Sequence, residues 1–119
     1  MSNILNAVIR SLLDEGLDDW IPIDRIIGAS QEWVAERGLD FRVVASGVAA
    51  ELIMDELMVP GMLGSIGFEP WSGPPEQLLR RVIAECEAVG WEPFGDGCWM
   101  ANTERGDRVA REQRGEPEG

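Results

Sequence analysis

The sequence predicts a helix-rich α+β fold with about four helices, short strands and a C-terminal β-hairpin. Apolar residues recur at helical spacing in several segments, glycine and proline separate those segments, and the aromatic residues concentrate in short extended stretches. The 119 residues, 45% of them hydrophobic, suit one ordinary domain. We therefore expect a single globular domain over residues 1–103 and a disordered acidic and arginine-containing tail over residues 104–119.

The first predicted helix begins at Ser2 or Asn3 and ends at Gly16. Its apolar residues lie three and four positions apart, as on one helix face. They are Ile4, Leu5, Val8, Ile9, Leu12 and Leu13. Residues 18–23 then combine an acidic turn with a short extended piece, which Pro22 limits to a sheet edge because proline cannot donate to a ladder.

Two further helices are predicted in the middle of the chain. The second begins at Asp24, a suitable N-cap, and ends near Gly38. The third covers Phe41 to Met58, where apolar residues surround most of the helix circumference, so we expect it to be the most buried helix. Pro60 and Gly61 are expected to close it, and the segment after them is expected to be strand or ordered loop.

A short motif occurs twice, as Gly67-Phe68-Glu69-Pro70-Trp71 and, with its aromatics exchanged, as Gly90-Trp91-Glu92-Pro93-Phe94. Between the copies lies the clearest amphipathic helix, Pro75 to Val89, in which proline occupies the tolerant first turn. We expect the copies to be extended arms at the two ends of this helix. Residues 91–94 and 98–102, joined by Gly-Asp-Gly, are expected to form the C-terminal hairpin.

The aromatic residues around this repeat are the candidate binding residues. The chain has five tryptophans and three phenylalanines, and the core is the expected place for any one of them. Short proline-bounded arms rarely bury both faces, so one or two of Trp71, Trp91 and Trp99 should be partly exposed, with Trp91 in the core and Trp71 more exposed. Exposed aromatics in an apolar patch mark binding surfaces. The partner-binding candidates are Phe68, Trp71, Trp91, Phe94 and Trp99.

The residues that are missing restrict the chemistry of the chain. Histidine, lysine and tyrosine are absent, which excludes a serine-histidine triad, a lysine Schiff base and a tyrosine acid. The acidic stretch over residues 14–19 lacks calcium-loop spacing and is interpreted as a solvated helix end. Glu69 and Glu92 are interpreted as surface carboxylates of Glu-Pro turns. The sequence therefore predicts no catalytic, cofactor-binding or metal-binding residues and leans against an enzyme.

The charge of the chain restricts its partners. Twenty-two acidic residues against ten basic ones give a net charge of −12, which opposes binding to a nucleic-acid backbone. The same charge is compatible with simple solubility, a high-salt environment or a basic protein partner. We expect a protein partner of basic character and no nucleic acid. The sequence does not determine the oligomeric state.

The two cysteines, Cys86 and Cys98, are twelve positions apart and form no CxxC pair, and there is no histidine to complete a zinc site. Both are interpreted as reduced core residues. The N-terminus lacks a charged leader followed by a long apolar run, and no segment approaches the ~20 apolar residues of a membrane span. A cytoplasmic protein without membrane association is expected.

The order of helix, short extended segment, two helices and extended segments is also that of a winged helix-turn-helix. In that fold the third helix would contact DNA. Here the polar positions of the third helix are Ser46, Glu51, Asp55 and Glu56, and only Arg42 is basic. Such a helix repels phosphate, so even a winged-helix domain would favour protein binding.

The sequence thus leaves three hypotheses about function. The leading one is a small acidic cytoplasmic protein-interaction module that regulates or inhibits a basic partner. The second is a small-molecule-binding protein or enzyme with an apolar, aromatic-lined pocket. The third is a winged-helix regulator that binds DNA.

Overall fold

The structure, a computed structural model, describes residues 2–115. Within this range it contains five helices and one four-stranded antiparallel sheet, which confirms the helix-rich α+β class. The elements are α1 (Ser2–Gly16), β1 (Ile21–Pro22), α2 (Ile23–Val34), α3 (Phe41–Met54), β2 (Met58–Gly64), β3 (Gly67–Pro70), α4 (Pro75–Ala88), β4 (Trp99–Asn102) and α5 (Glu104–Gln113).

Helix α3 is central to the core, as the sequence predicts. Asp40 caps its start, since its side chain accepts a hydrogen bond from the Arg42 N–H at 3.0 Å. Its buried residues lie along one side of the helix: Val44, Ala45, Val48, Ala49, Leu52 and Ile53. The helix ends at Met54, four residues earlier than expected, because Glu56 adopts a left-handed conformation with φ of 55°.

The expectation that Pro60 and Gly61 close the third helix is wrong, because both residues lie inside β2, an interior strand. Pro60 is tolerated there because it stands opposite the residue that follows β3. The Trp71 N–H donates to the Pro60 carbonyl at 3.0 Å. Proline has no N–H to donate back to the Trp71 carbonyl, but the β2–β3 ladder ends at this point, so no hydrogen bond inside the ladder is lost.

Strands β2 and β3 form the hairpin of this fold. Gly64 pairs with Gly67 next to the turn, and Gly61 pairs with Pro70 at the other end. At Gly61 an added Cβ would lie 2.3 Å from the carbonyl oxygen of Glu69, so only glycine allows the two strands to approach this closely.

The predicted C-terminal hairpin is also wrong. Trp91 and Phe94 have positive φ angles of 62° and 48°, which break the first arm into turns. At the end of α4 the Trp91 N–H donates to the Cys86 carbonyl at 2.7 Å, and the Gly90 N–H donates to the Glu87 carbonyl at 3.1 Å. This is a Schellman motif, and it uses residues 90 and 91 to close the helix instead of starting a strand.

Strand β4 instead pairs with two distant strands, β1 on one side and β2 on the other, so the sheet order is β1-β4-β2-β3. The last strand of the chain thus lies between the first strand and the β2–β3 hairpin. With this sheet the winged-helix resemblance is not confirmed.

Residues 104–113 form α5, in contrast to the disordered tail that the sequence predicts; residues 116–119 lie outside the described part of the chain. Thr103 caps α5 by accepting a hydrogen bond from the Gly106 N–H at 3.0 Å, and its hydroxyl donates to the Glu56 carbonyl at 2.6 Å. Gly106 and Ala110 are buried, and α5 packs against α1. Small residues therefore permit a close contact that a hydrophobicity pattern does not reveal.

One face of the sheet packs against α1 and α3 as part of the core. Ile21, Met58, Pro60 and Met100 share this face by strand alternation and register, and all four are buried. Helix α1 contacts β1 and β4, and α3 contacts β2. The residues that alternate with these along each strand point to the opposite face of the sheet.

We expect Gly61→Ala to destabilise the protein by about 1–3 kcal/mol, because the added Cβ forces β2 and β3 apart. Gly47→Ala, in α3, is the control: its Cβ meets nothing within 4 Å, so the same chemical change should stabilise the helix by about 0.5–1 kcal/mol. Urea denaturation measures both. Equal effects of the two substitutions would contradict the close approach at Gly61.

Candidate functional site

The second face of the sheet, which we call the outer sheet face, is apolar across all four strands. Pro22 pairs with Trp99, Trp99 pairs with Gly61, and Gly61 pairs with Pro70, so these residues form one row from edge to edge. Such in-register neighbours contact one another on one side of a sheet.

Two further pairs extend the outer sheet face on either side of this row. Leu63 pairs with Phe68, and Val59 pairs with Ala101. Leu63 is 41% exposed, whereas the rings of Phe68 and Trp99 are partly buried without joining the main core. The strand positions on this face carry no charged side chain. They are Pro22, Val59, Gly61, Leu63, Phe68, Pro70, Trp99 and Ala101.

Trp20 enlarges the outer sheet face from outside the strands. Its ring stacks on Phe68 with centroids 6.1 Å apart and an interplanar angle of 29°. It also lies against Gly67, where an added Cβ would be 3.2 Å from the ring. At 43% exposure Trp20 is accessible to a partner. Trp20 is not among the predicted partner-binding residues, although its position just before the proline-containing edge strand was an available signal.

Acidic side chains border the outer sheet face on one side. Asp18, Asp19 and Asp107 line a hollow of about 470 Å³ together with Trp20 and Ala101. The side chain of Asp18 is 82% exposed, and its carboxylate lies 3.8 Å from the guanidinium of Arg114. Within residues 2–115 no cluster of three or more acidic or cysteine side chains could hold a metal ion. The hollow therefore offers a negative rim beside an apolar surface.

The predicted binding residues do not form one site. Phe68 and Trp99 lie on the outer sheet face, and Phe94, 81% exposed, lies on a separate turn. Trp91 is only 8% exposed, and its ring packs at a right angle to that of Phe41 with centroids 6.4 Å apart, so it belongs to the core. Trp71 is partly buried, with the Arg81 guanidinium 3.6 Å from its ring centroid. The two copies of the repeat thus have different structures.

A second concave region, which we call the α5 cleft, lies between the end of β3 and the start of α5. Its volume is about 510 Å³, within the range of small-molecule sites. It has an apolar floor and a charged mouth that includes Arg105 and Arg108 of α5. The full lining is Ile53, Glu56, Met58, Val59, Trp71, Gly73, Pro75, Leu78, Thr103, Glu104, Arg105 and Arg108.

Cys86 and Cys98 are free, buried thiols that line a third cavity, of about 200 Å³. Burial raises the pKa of Cys86 to about 11, and nearby Glu85 adds to the shift. Burial likewise raises the pKa of Cys98 to about 12, with Cys86 adding to it. Since the thiolate is the reactive form, neither thiol is activated for nucleophilic chemistry at neutral pH.

No family model, curated protein or solved structure matches this chain. In the part of the chain that the structure describes, no helix combines the length and apolarity needed to cross a bilayer.

We expect Trp91→Ala to lower the free energy of unfolding by about 3–5 kcal/mol, because it removes a buried ring that packs against Phe41. Phe94→Ala, at an exposed position of the same motif copy, should change it by no more than about 0.5 kcal/mol. Chemical denaturation of both variants tests this difference. A harmless Trp91→Ala would show that the ring lies on the surface.

We expect Cys86 and Cys98 to react with a disulfide reagent such as Ellman's reagent at pH 8 only after the protein is unfolded. Their raised pKa values also make stability fall as the pH rises above about 9, where the thiols of the unfolded chain ionise first. The Cys86→Ala/Cys98→Ala variant should lose this alkaline dependence. Rapid labelling of the native protein would contradict the assigned burial.

Proposed function

We propose that this chain is a protein-interaction module that binds a basic partner protein through the outer sheet face. The observation that carries this proposal is the uncharged row formed by Pro22, Trp99, Gly61 and Pro70 on the side of the sheet opposite the helix-covered face. The proposal rests on what this face offers: apolar contact area, aromatic anchors and an acidic border.

The apolar part of the face provides the contact energy. Trp20 and Leu63 are each more than two-fifths exposed, and Phe68 and Trp99 add further ring area. Burying such area in an interface removes it from water, which contributes a favourable free energy of about 25 cal/mol per Å² of apolar surface. Aromatic side chains near the centre of a patch are the residues that most often dominate binding energy. Trp20, Phe68 and Trp99 are therefore the expected anchors.

The charge of the chain supports a basic partner. The net charge is −12, and Asp18, Asp19 and Asp107 lie beside the apolar face through the hollow that they share with Trp20. A negative rim accelerates association with a positive surface and repels acidic proteins. A module that covers the basic surface of its partner would block other anions from that surface, which corresponds to a regulator or inhibitor.

The DNA-binding alternative has no such support. Arg42, the basic residue of α3, pairs with Asp40 at 3.0 Å, so its charge is already partly compensated. The remaining polar positions of α3 are neutral or acidic, so this helix would repel a nucleic-acid backbone.

Leu63→Asp tests the proposal because it places a charge on the outer sheet face at a position that is already 41% exposed. We expect little loss of stability but at least ~10-fold weaker partner binding, equivalent to about 1.4 kcal/mol. Wild type and variant are compared by quantitative affinity capture from a native-host lysate, followed by calorimetry with the purified partner. Raising the salt from about 50 to about 300 mM should weaken binding further.

Val43→Asp is the matched control. Val43 is 70% exposed on α3, whose buried residues share the core with Met58 and Met100 of the other sheet face. Like Leu63→Asp, it replaces an exposed aliphatic side chain with a carboxylate, here near the start of a helix, where an acidic residue is favourable. Binding should be unaffected. A partner that is acidic, or one lost equally from both variants, would overturn the assignment of the outer sheet face.

A further inference from the structure

We propose that the α5 cleft is a second binding site, for a small amphipathic carboxylate whose apolar body contacts the floor and whose carboxylate pairs with Arg105 and Arg108. This proposal does not rest on the protein-interaction function, because the outer sheet face and the α5 cleft share only Val59.

The floor of the α5 cleft is formed by core side chains from separate elements. Ile53 comes from the end of α3, Met58 from the start of β2 and Leu78 from the first turns of α4. All three are buried, so their positions are determined by packing in the core. Trp71 adds an aromatic wall, and its ring is held by Arg81 at 3.6 Å. The floor therefore exists before any ligand binds.

The mouth of the α5 cleft carries two guanidinium groups without an internal partner. Neither Arg105 nor Arg108 makes an ion pair or a side-chain hydrogen bond within residues 2–115. Glu56 and Glu104 line the same cleft, yet neither lies within ion-pair distance of these arginines. An external anion can therefore pair with both groups, and guanidinium binds carboxylate through two parallel hydrogen bonds.

The surroundings of the arginines favour a single negative charge on the ligand. Two guanidiniums compensate one carboxylate, but Glu56, Glu104 and the overall charge of −12 oppose a dianion such as a phosphate monoester. The volume of about 510 Å³ accommodates a fused aromatic or branched aliphatic body. An anionic ligand is compatible with this acidic chain because the two arginines make the cleft locally more positive than the chain average.

The direct test uses 2-naphthoate as the probe and 2-naphthamide as its uncharged counterpart of the same shape. Binding is followed by two-dimensional ¹H–¹⁵N NMR, in which the five tryptophan indole N–H signals report separately. We expect naphthoate to bind with a Kd of roughly 0.1–1 mM, as its small size allows, and to shift the Trp71 signal most. The amide should bind at least ~10-fold more weakly.

The variant Arg105→Gln/Arg108→Gln should reduce naphthoate affinity at least ~10-fold while leaving amide binding unchanged. Arg80→Gln/Arg111→Gln is the matched control, because it removes the same charge from exposed positions on α4 and α5 that do not line the cleft. Naphthoate affinity should stay within about two-fold in this control, since exposed charges at a distance are screened by salt.

Three results of the affinity measurements would overturn the proposal. They are the absence of naphthoate binding, equal binding of the amide, and equal weakening in both double variants, which would indicate a nonspecific effect of net charge. Strong shifts at Trp20 or Trp99 instead of Trp71 would place the probe on the outer sheet face and equally reject the assignment to the α5 cleft. Failure here leaves the Leu63→Asp experiment unaffected, because Leu63 does not line the α5 cleft.

Discussion

The pairing of β4 with both β1 and β2 is the constraint on which the rest of the structure depends. It joins the two ends of the chain, since Ile21 pairs with Met100 and Gly61 pairs with Trp99. The Ile23 N–H also donates to the Cys98 carbonyl at 3.0 Å, which secures the start of α2. Without β4, strand β1 would have no neighbouring strand in the sheet. The pairing of β1 with β4 closes a long loop of chain, and its hydrogen bonds offset the entropy cost of that closure.

This pairing also determines both proposed sites. Strand β4 places Trp99 at the centre of the outer sheet face, between Pro22 and Gly61. It ends next to Thr103, whose N–H donates to the Leu57 carbonyl at 3.0 Å and whose side chain caps α5. Helix α5 then brings Arg105 to the cleft. One strand therefore organises an apolar surface on the sheet and a charged mouth at its end.

The candidate site shows the limit of local motifs. The first copy of the repeat is a strand because Gly67 follows a tight turn and β2 is available to pair with it. The second copy follows α4, and there Gly90 and Trp91 both adopt left-handed φ angles to close the helix. Phe68 therefore lies on the outer sheet face whereas Trp91 lies in the core, although the two residues occupy corresponding motif positions.

The sequence by itself determined the helix-rich α+β class, the helices α1 and α4, the burial of Trp91 and the absence of histidine, lysine and tyrosine chemistry. These properties follow from composition and from apolar spacing within one segment. Only the tertiary structure decided the partners of β4, the helix α5 and the exposure of Trp20. The physical reason is that each depends on contacts between residues far apart in the chain: ladder bonds between distant strands, the approach of Gly106 to Leu57, and the stacking of Trp20 on Phe68.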